Sequence, residues 1–212
     1  MKVLYYTNIP APYRVKFFNE LSKRVELTVL FNGDKNERYR NKDWFKNNDY
    51  KFNYINLHKF ALFQLNKILK EKYDVVIIGT YANLNGAFLN LLLRSKHIKF
   101  FINADGGIVP KKETLISKFL KRKFISTADF YLSTGKCTNE YLTYYGAKKE
   151  NIYIYPFSSV EKSDVLLLPI KMEEKIKLRN AAGYNYKRLF VSVGSFIKRK
   201  GYDFYFTLLW ES

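Results

Sequence analysis

Short apolar runs alternate with helical patterns along most of this chain, and that alternation restricts the fold more than any other feature. Runs of strand length occur at Lys2–Tyr6, Glu26–Phe31, Phe52–Leu57, Val75–Ile78, Lys99–Asn103, Phe130–Ser133 and Ile152–Tyr155. Between them, helices are predicted near Arg14–Lys23, Lys59–Lys72, Leu84–Arg94, Glu113–Ser126 and Thr138–Tyr145. The first of these carries Val15, Phe17, Phe18 and Leu21 at helical spacing. Repeated strand–helix units argue for a parallel sheet covered by helices.

The predicted architecture is therefore α/β, a Rossmann-like parallel sheet with helices on both faces. In such sheets ligands bind outside the carboxyl ends of the strands, so function is sought in the loops NIPAPYR, GTYANLNG, NADGGIVPK and STGK. The pattern breaks after Tyr155, where Pro156, a serine pair and VEKSD intervene. A charged helix follows near Lys171–Ala182, with Gly183 as its C-terminal stop. Residues 1–160 form the predicted first domain and 161–186 the predicted linker and helix. Residues 187–212 open a second unit, with a strand at Leu189–Val193, a turn at Gly194 and the basic run Lys198–Lys200.

Of the 212 residues, 47% are hydrophobic and 18% aromatic, enough apolar surface to offset the entropy of ordering and to exclude a disordered chain. The net charge of +18 invites a polyanion: nucleic acid, anionic lipid or a phosphorylated substrate. Nucleic acid is disfavoured, because the cations are spread along the chain without an RNA- or DNA-binding signature. Cys137 is the single cysteine and cannot form an internal disulfide, and LYYTNIPAPY lacks a signal-peptide apolar region. The expected location is the cytoplasm, with peripheral contact at the inner face of the cell membrane.

Four stretches together resemble the GT-B glycosyltransferases of family 4: NIPAPYRVKFFNEL, NADGGIVPKK, YGAKKENIYIYPFSSVEKSD and VSVGSFIKRKGYDFYF. The resemblance implies two Rossmann-like domains facing a cleft, the first mainly binding acceptor and the second mainly binding nucleotide sugar. It also implies a mostly retaining transferase, with no cofactor and no divalent metal, that uses a nucleotide sugar as donor. Gly194, Ser195 and Lys200 fall on the donor-diphosphate loop, where Lys200 matches the family lysine and Ser195 replaces a frequent arginine. A fixed cation there would stabilise the charge developing on the leaving diphosphate; the bland reading of Lys200 is a solvated lysine in a basic turn. The family's acidic pair would lie beyond Ser212, so the donor site of this polypeptide is expected to be incomplete.

On the first domain, Asp105 is the candidate catalytic residue, a carboxylate able to accept from sugar hydroxyls; Asp105–Gly106 reads equally well as a turn dipeptide. Gly106 and Gly107 would let the backbone approach an acceptor. Tyr13 and Arg14, at the start of the first helix, are further acceptor candidates, Arg14 for an acceptor phosphate or, more simply, as a surface arginine. His58 and His97 match no family position.

KKETLISKFLKRKFIS is a basic amphipathic helix. Leu115, Ile116, Phe119, Leu120 and Phe124 lie on one face, with Leu115 and Phe119 expected in the core. Lys118, Lys121, Arg122 and Lys123 are expected to face an anionic membrane, each contributing roughly 1 kcal/mol. The leading functional expectation is transfer of a sugar to a saccharide or lipid-linked acceptor during surface polysaccharide assembly. The alternative is a noncatalytic saccharide- or membrane-binding half-domain.

Overall fold

The computed structural model describes residues 1–32, 49–81, 83–160, 162–184, 186, 189–194, 196, 200–202 and 204. Two compact units emerge, Met1–Val160 and Glu161–Ser212. The first contains strands β1 (Lys2–Thr7), β2 (Glu26–Phe31), β3 (Asn53–Asn56), β4 (Val75–Ile78), β5 (Phe101–Ala104), β6 (Phe130–Ser133) and β7 (Ile152–Ile154). Its helices are α1 (Pro12–Ser22), α2 (Leu62–Ile68), α3 (Leu84–Ser95), α4 (Leu115–Ile125) and α5 (Lys136–Tyr144).

The strands form one seven-stranded sheet in the order β3-β2-β1-β4-β5-β6-β7. Every pairing is parallel, from Lys2 opposite Glu26 to Ser133 opposite Ile154. Alternating residues of one strand point to opposite faces, and here both faces are packed. Leu4, Tyr6, Leu30, Ile78 and Ile102 meet Leu65, Leu89, Leu93, Ile125 and Leu142 from α2 to α5. Val3, Tyr5, Val29 and Phe31 meet Val15 and Phe18 from α1. The Phe18 ring is fully buried, a burial that stabilises by roughly 1.5–3 kcal/mol relative to exposure.

Local chemistry sets the helix starts. Pro12 opens α1, where its fixed φ and missing N–H cost nothing. Asn83 caps α3 by accepting from the Gly86 N–H, and Thr114 caps α4 by accepting from the Ser117 N–H. The predicted elements shift at some ends for visible reasons. Strand β5 begins at Phe101 rather than Lys99, because the Phe100 N–H donates to the Asp129 carboxylate before the ladder starts. Helix α2 is shorter than Lys59–Lys72: the N–H groups of Lys70 and Glu71 bond three residues back, tightening the chain out of the helix.

Helix α4 departs most from expectation. Leu115 and Phe119 are exposed rather than packed on the sheet, and only Ile125 is fully buried. The side turned inward carries Ile125, half-buried Phe124 stacked on Tyr81, and Lys121 bonded to Glu113. At about 100° per residue, Leu115 and Phe119 lie on the opposite side. Among the described residues no helix is long and apolar enough to cross a membrane.

The second unit contains α6 (Met172–Ala181), close to its predicted span and with none of its residues buried. It ends as expected on Gly183, at φ 76°. The Tyr184 N–H reaches back to the Arg179 carbonyl at 2.8 Å and the Gly183 N–H to the Asn180 carbonyl at 3.0 Å. This double closure needs a left-handed residue, which glycine supplies without strain. The predicted strand at Leu189–Val193 is not formed, and Phe190, Val191 and Val193 are exposed. A strand exists only when its backbone groups find a ladder, and no strand is present among the described residues of this unit.

Candidate functional site

Because all seven strands run parallel, their carboxyl ends share one edge of the sheet, and the strand order reverses between β1 and β4. The loops after β1, β4, β5 and β7 therefore converge where open α/β sheets bind ligands. Two polar groupings occupy that edge.

The first joins Arg14 of α1 to Asp105 after β5. The Arg14 Nη2 pairs with Asp105 Oδ2, with the guanidinium 5% exposed and the carboxylate 39% exposed. The other carboxylate oxygen accepts from Asn103 Nδ2 at 2.7 Å and from the Tyr155 hydroxyl at 2.8 Å. The Phe157 ring covers the guanidinium at 5.0 Å, and Tyr13 meets that ring edge-on at 5.9 Å. On the inner side, burial pushes the Tyr5 phenol well above the usual tyrosine range, opposed by the neighbouring Arg14 charge. Arg14 Nη1 and Asn103 Oδ1 are buried without a hydrogen-bond partner among the described residues.

This arrangement holds a carboxylate at the rim while its charge is matched from below. The carboxylate is a good fixed acceptor for ligand hydroxyls, since it is partly exposed and its orientation is set by three partners.

The second grouping ties the loops after β1, β2 and β4. The Tyr6 hydroxyl lies 2.6 Å from Asn83 Oδ1 and 2.9 Å from Asn32 Oδ1. Asn83 Nδ2 donates to Asn8 Oδ1, and Asn85 Nδ2 donates to Asn32 Oδ1. Burial raises the Tyr6 phenol far above its ordinary range, so it remains a neutral donor. These contacts fix the loop that opens α3 beside the site.

Of the sequence-predicted residues, Arg14 and Asp105 are brought into direct contact, and Tyr13 joins them through Phe157. Arg14 is not the solvent-facing residue a helix start suggested: it is buried, with its charge matched by Asp105. Gly106 has open space on its Cβ side, whereas a Cβ at Gly107 would stand 2.5 Å from the Tyr141 ring. The close approach at Gly107 is to Tyr141 of α5. In the second unit, Gly194 packs against the Tyr202 phenol and Lys200 is exposed. Ser195, with Lys198 and Arg199, lies outside the described residues.

Lys121, expected to face a membrane, is held inward. Glu113 accepts from Lys121 Nζ at 2.6 Å, the Tyr145 hydroxyl at 2.6 Å and Ser117 Oγ at 2.7 Å. The bond from Lys121, then that from Tyr145, holds the Glu113 carboxyl down to about 2. Burial pushes the Tyr145 phenol up to about 12.

Tyr5, Tyr155 and Phe157 were not singled out from sequence. Tyr155 and Phe157 follow the last strand of the sheet, so extending the loop-after-strand argument to β7 would have found them.

A Rossmann-like α/β domain of the GT-B type is the class this fold defines. No protein-family model matches the sequence, and no curated protein sequence matches it. Among solved structures, the chain is similar to HepE of Anabaena in complex with UDP and glucose. That match has a TM-score of 0.58 and 12% identity over 90% of this chain and 54% of that one. It is also similar to the UDP-N-acetylglucosamine 2-epimerase of Rickettsia bellii, with a TM-score of 0.50 and 16% identity over 88% of this chain and 49% of that one. The chain thus spans about half the length of these structures.

Proposed function

We infer that this chain belongs to a sugar transferase whose donor is a nucleotide sugar and whose acceptor, a saccharide or lipid-linked sugar, is held by Met1–Val160. The observation that carries this reading is the outward Asp105 carboxylate, fixed by Arg14, Asn103 and Tyr155 at the ligand-binding edge of a GT-B-type sheet. The fold similarity to HepE bound to UDP and glucose supports it. Asp105 would orient an acceptor hydroxyl, with Tyr13 and the open side of Gly106 forming the surface beside it. Gly194, Ser195 and Lys200 are proposed to contact the donor diphosphate, where a lysine offsets charge on the leaving group. Retention of configuration, independence from divalent metal and a role in surface polysaccharide assembly, at the cytoplasmic side of the membrane, complete the proposal.

Nucleoside diphosphate release tests it, measured with a panel of nucleotide sugars and with saccharide or lipid-linked acceptors. Acceptor-stimulated release that survives a chelator is expected. Tyr155→Phe keeps the Arg14–Asp105 pair and removes one anchoring bond, so it should raise the acceptor KM more than it lowers kcat. Failure to release or bind any nucleotide sugar overturns the transferase reading. A second reading, saccharide binding without catalysis, is favoured by the charge matching of Asp105; acceptor binding without release would establish it.

A further inference from the structure

The outward side of α4 over its first two turns is assembled from four apolar residues, with Lys123 on the turn that follows. Leu115, Ile116, Phe119 and Leu120 are 85%, 74%, 62% and 59% exposed. At about 100° per residue they span roughly 140° of the helix, opposite the side that carries Lys121 and Ile125. Single exposed apolar residues are ordinary, but a contiguous apolar helix face marks a contact surface.

Charge identifies the occupant. Exposed Lys111 and Lys112 precede the helix, exposed Arg122 and Lys123 lie on it, and half-buried Lys118 flanks the apolar face. The one acidic residue between 111 and 126 is Glu113, whose carboxylate is turned inward to Lys121, Ser117 and Tyr145. The outward side therefore presents cations that no acid of its own segment offsets, on a chain of net charge +18. The lysines also run along rings: Lys118 Nζ lies 4.4 Å from the centre of the Tyr144 ring, and Lys123 Nζ lies 5.9 Å from that of Phe119. An ammonium held over an aromatic face at the end of a long aliphatic stem suits a boundary between hydrocarbon and phosphate. With 11 residues α4 is far shorter than the roughly 20 needed to span a bilayer, so contact with a bilayer would be in the membrane plane.

We propose that α4 docks the protein on an anionic phospholipid surface, with Leu115, Ile116, Phe119 and Leu120 entering the headgroup–acyl boundary. Lys111, Lys112, Lys118, Arg122 and Lys123 bind the lipid phosphates. This goes beyond electrostatic attraction alone, because the apolar side chains themselves insert, and it stands independently of the transferase reading.

Sedimentation of the full chain with vesicles provides the test. Strong partition is expected into phosphatidylcholine mixed with phosphatidylglycerol, and weak partition into phosphatidylcholine alone. Added salt should weaken binding to the mixed vesicles. Phe119→Ser with Leu120→Ser should reduce partition about tenfold or more, and Lys118→Gln or Lys123→Gln about fivefold each, with circular dichroism melts unchanged. In the unaltered protein, hydrogen exchange should slow over 115–123 when mixed vesicles are added. Absence of binding to mixed vesicles, partition insensitive to the Phe119 and Leu120 changes, or protection confined to other segments overturns the proposal. So does a dimer in vesicle-free solution that Phe119→Ser dissolves, which would assign this face to a second copy of the chain.

Discussion

Two carboxylate–cation pairs on the same domain are built in opposite senses. In the Arg14–Asp105 pair the cation is buried and the acid reaches the surface; in the Glu113–Lys121 pair the acid side chain is 7% exposed and the cation 36%. The shielded member shows what each pair is for. Glu113 takes bonds from Lys121, Tyr145 and Ser117 and is shielded from solvent, as befits a brace that locks α4 to α5. Asp105 keeps an open side, and the buried guanidinium beneath it serves to hold and orient it. One pair closes a structure and the other presents a group.

The largest expected effect separates the two pairs directly. Asp105→Ala leaves a buried guanidinium uncompensated and should cost about 3–5 kcal/mol in urea unfolding. Glu113→Gln keeps the shape of the brace and leaves its cation in reach of water, so its urea midpoint should fall less. Should Glu113→Gln cost more than Asp105→Ala, the contrast between the pairs is reversed.

The glycines between them come next. Gly107→Ala forces a methyl against the Tyr141 ring and should cost about 1–3 kcal/mol, relieved when combined with Tyr141→Ala.

Acid titration sharpens the comparison further. Glu113 sits at about 2 in the folded protein against an ordinary 4.5, so the stability it contributes is present above pH 4.5 and is lost as pH falls towards 2. Urea midpoints measured across that window should decline less steeply in Glu113→Gln than in the unaltered chain. A parallel decline in both would remove Glu113 from the acid response.

The smallest effect is expected at Gly106→Ala, within about 0.5 kcal/mol, since its Cβ meets open space. Reduced saccharide binding without reduced stability would then mark Gly106 as lining the site.

Much of the sheet was legible because its signals are local. Strands β2, β4 and β6 have the predicted limits, and the helix closed by Gly183 ends as expected, since apolar runs and a left-handed cap are written in neighbouring residues. The site was legible in part: Arg14 and Asp105 stood out in their loops, but that they contact each other did not, nor did Tyr155 and Phe157. Those partners meet only because the sheet order brings α1 and the ends of β5 and β7 to one edge. The Leu189–Val193 prediction failed for the same reason in reverse: an apolar run specifies a willingness to pair, and pairing needs a neighbour.

The sequence alone determined the alternation of strands and helices, hence a parallel sheet, hence the edge where chemistry gathers. Tertiary structure alone decided the orientation of each ambivalent element. Helix α4 carries apolar residues over more of its circumference than the sheet can cover. Its rotation was settled by Ile125 entering the core and by Glu113 drawing Lys121 and Tyr145 together. Periodicity states which residues share a helix face; only the competition among packed partners states which face turns inward, because that competition is between groups distant in the chain.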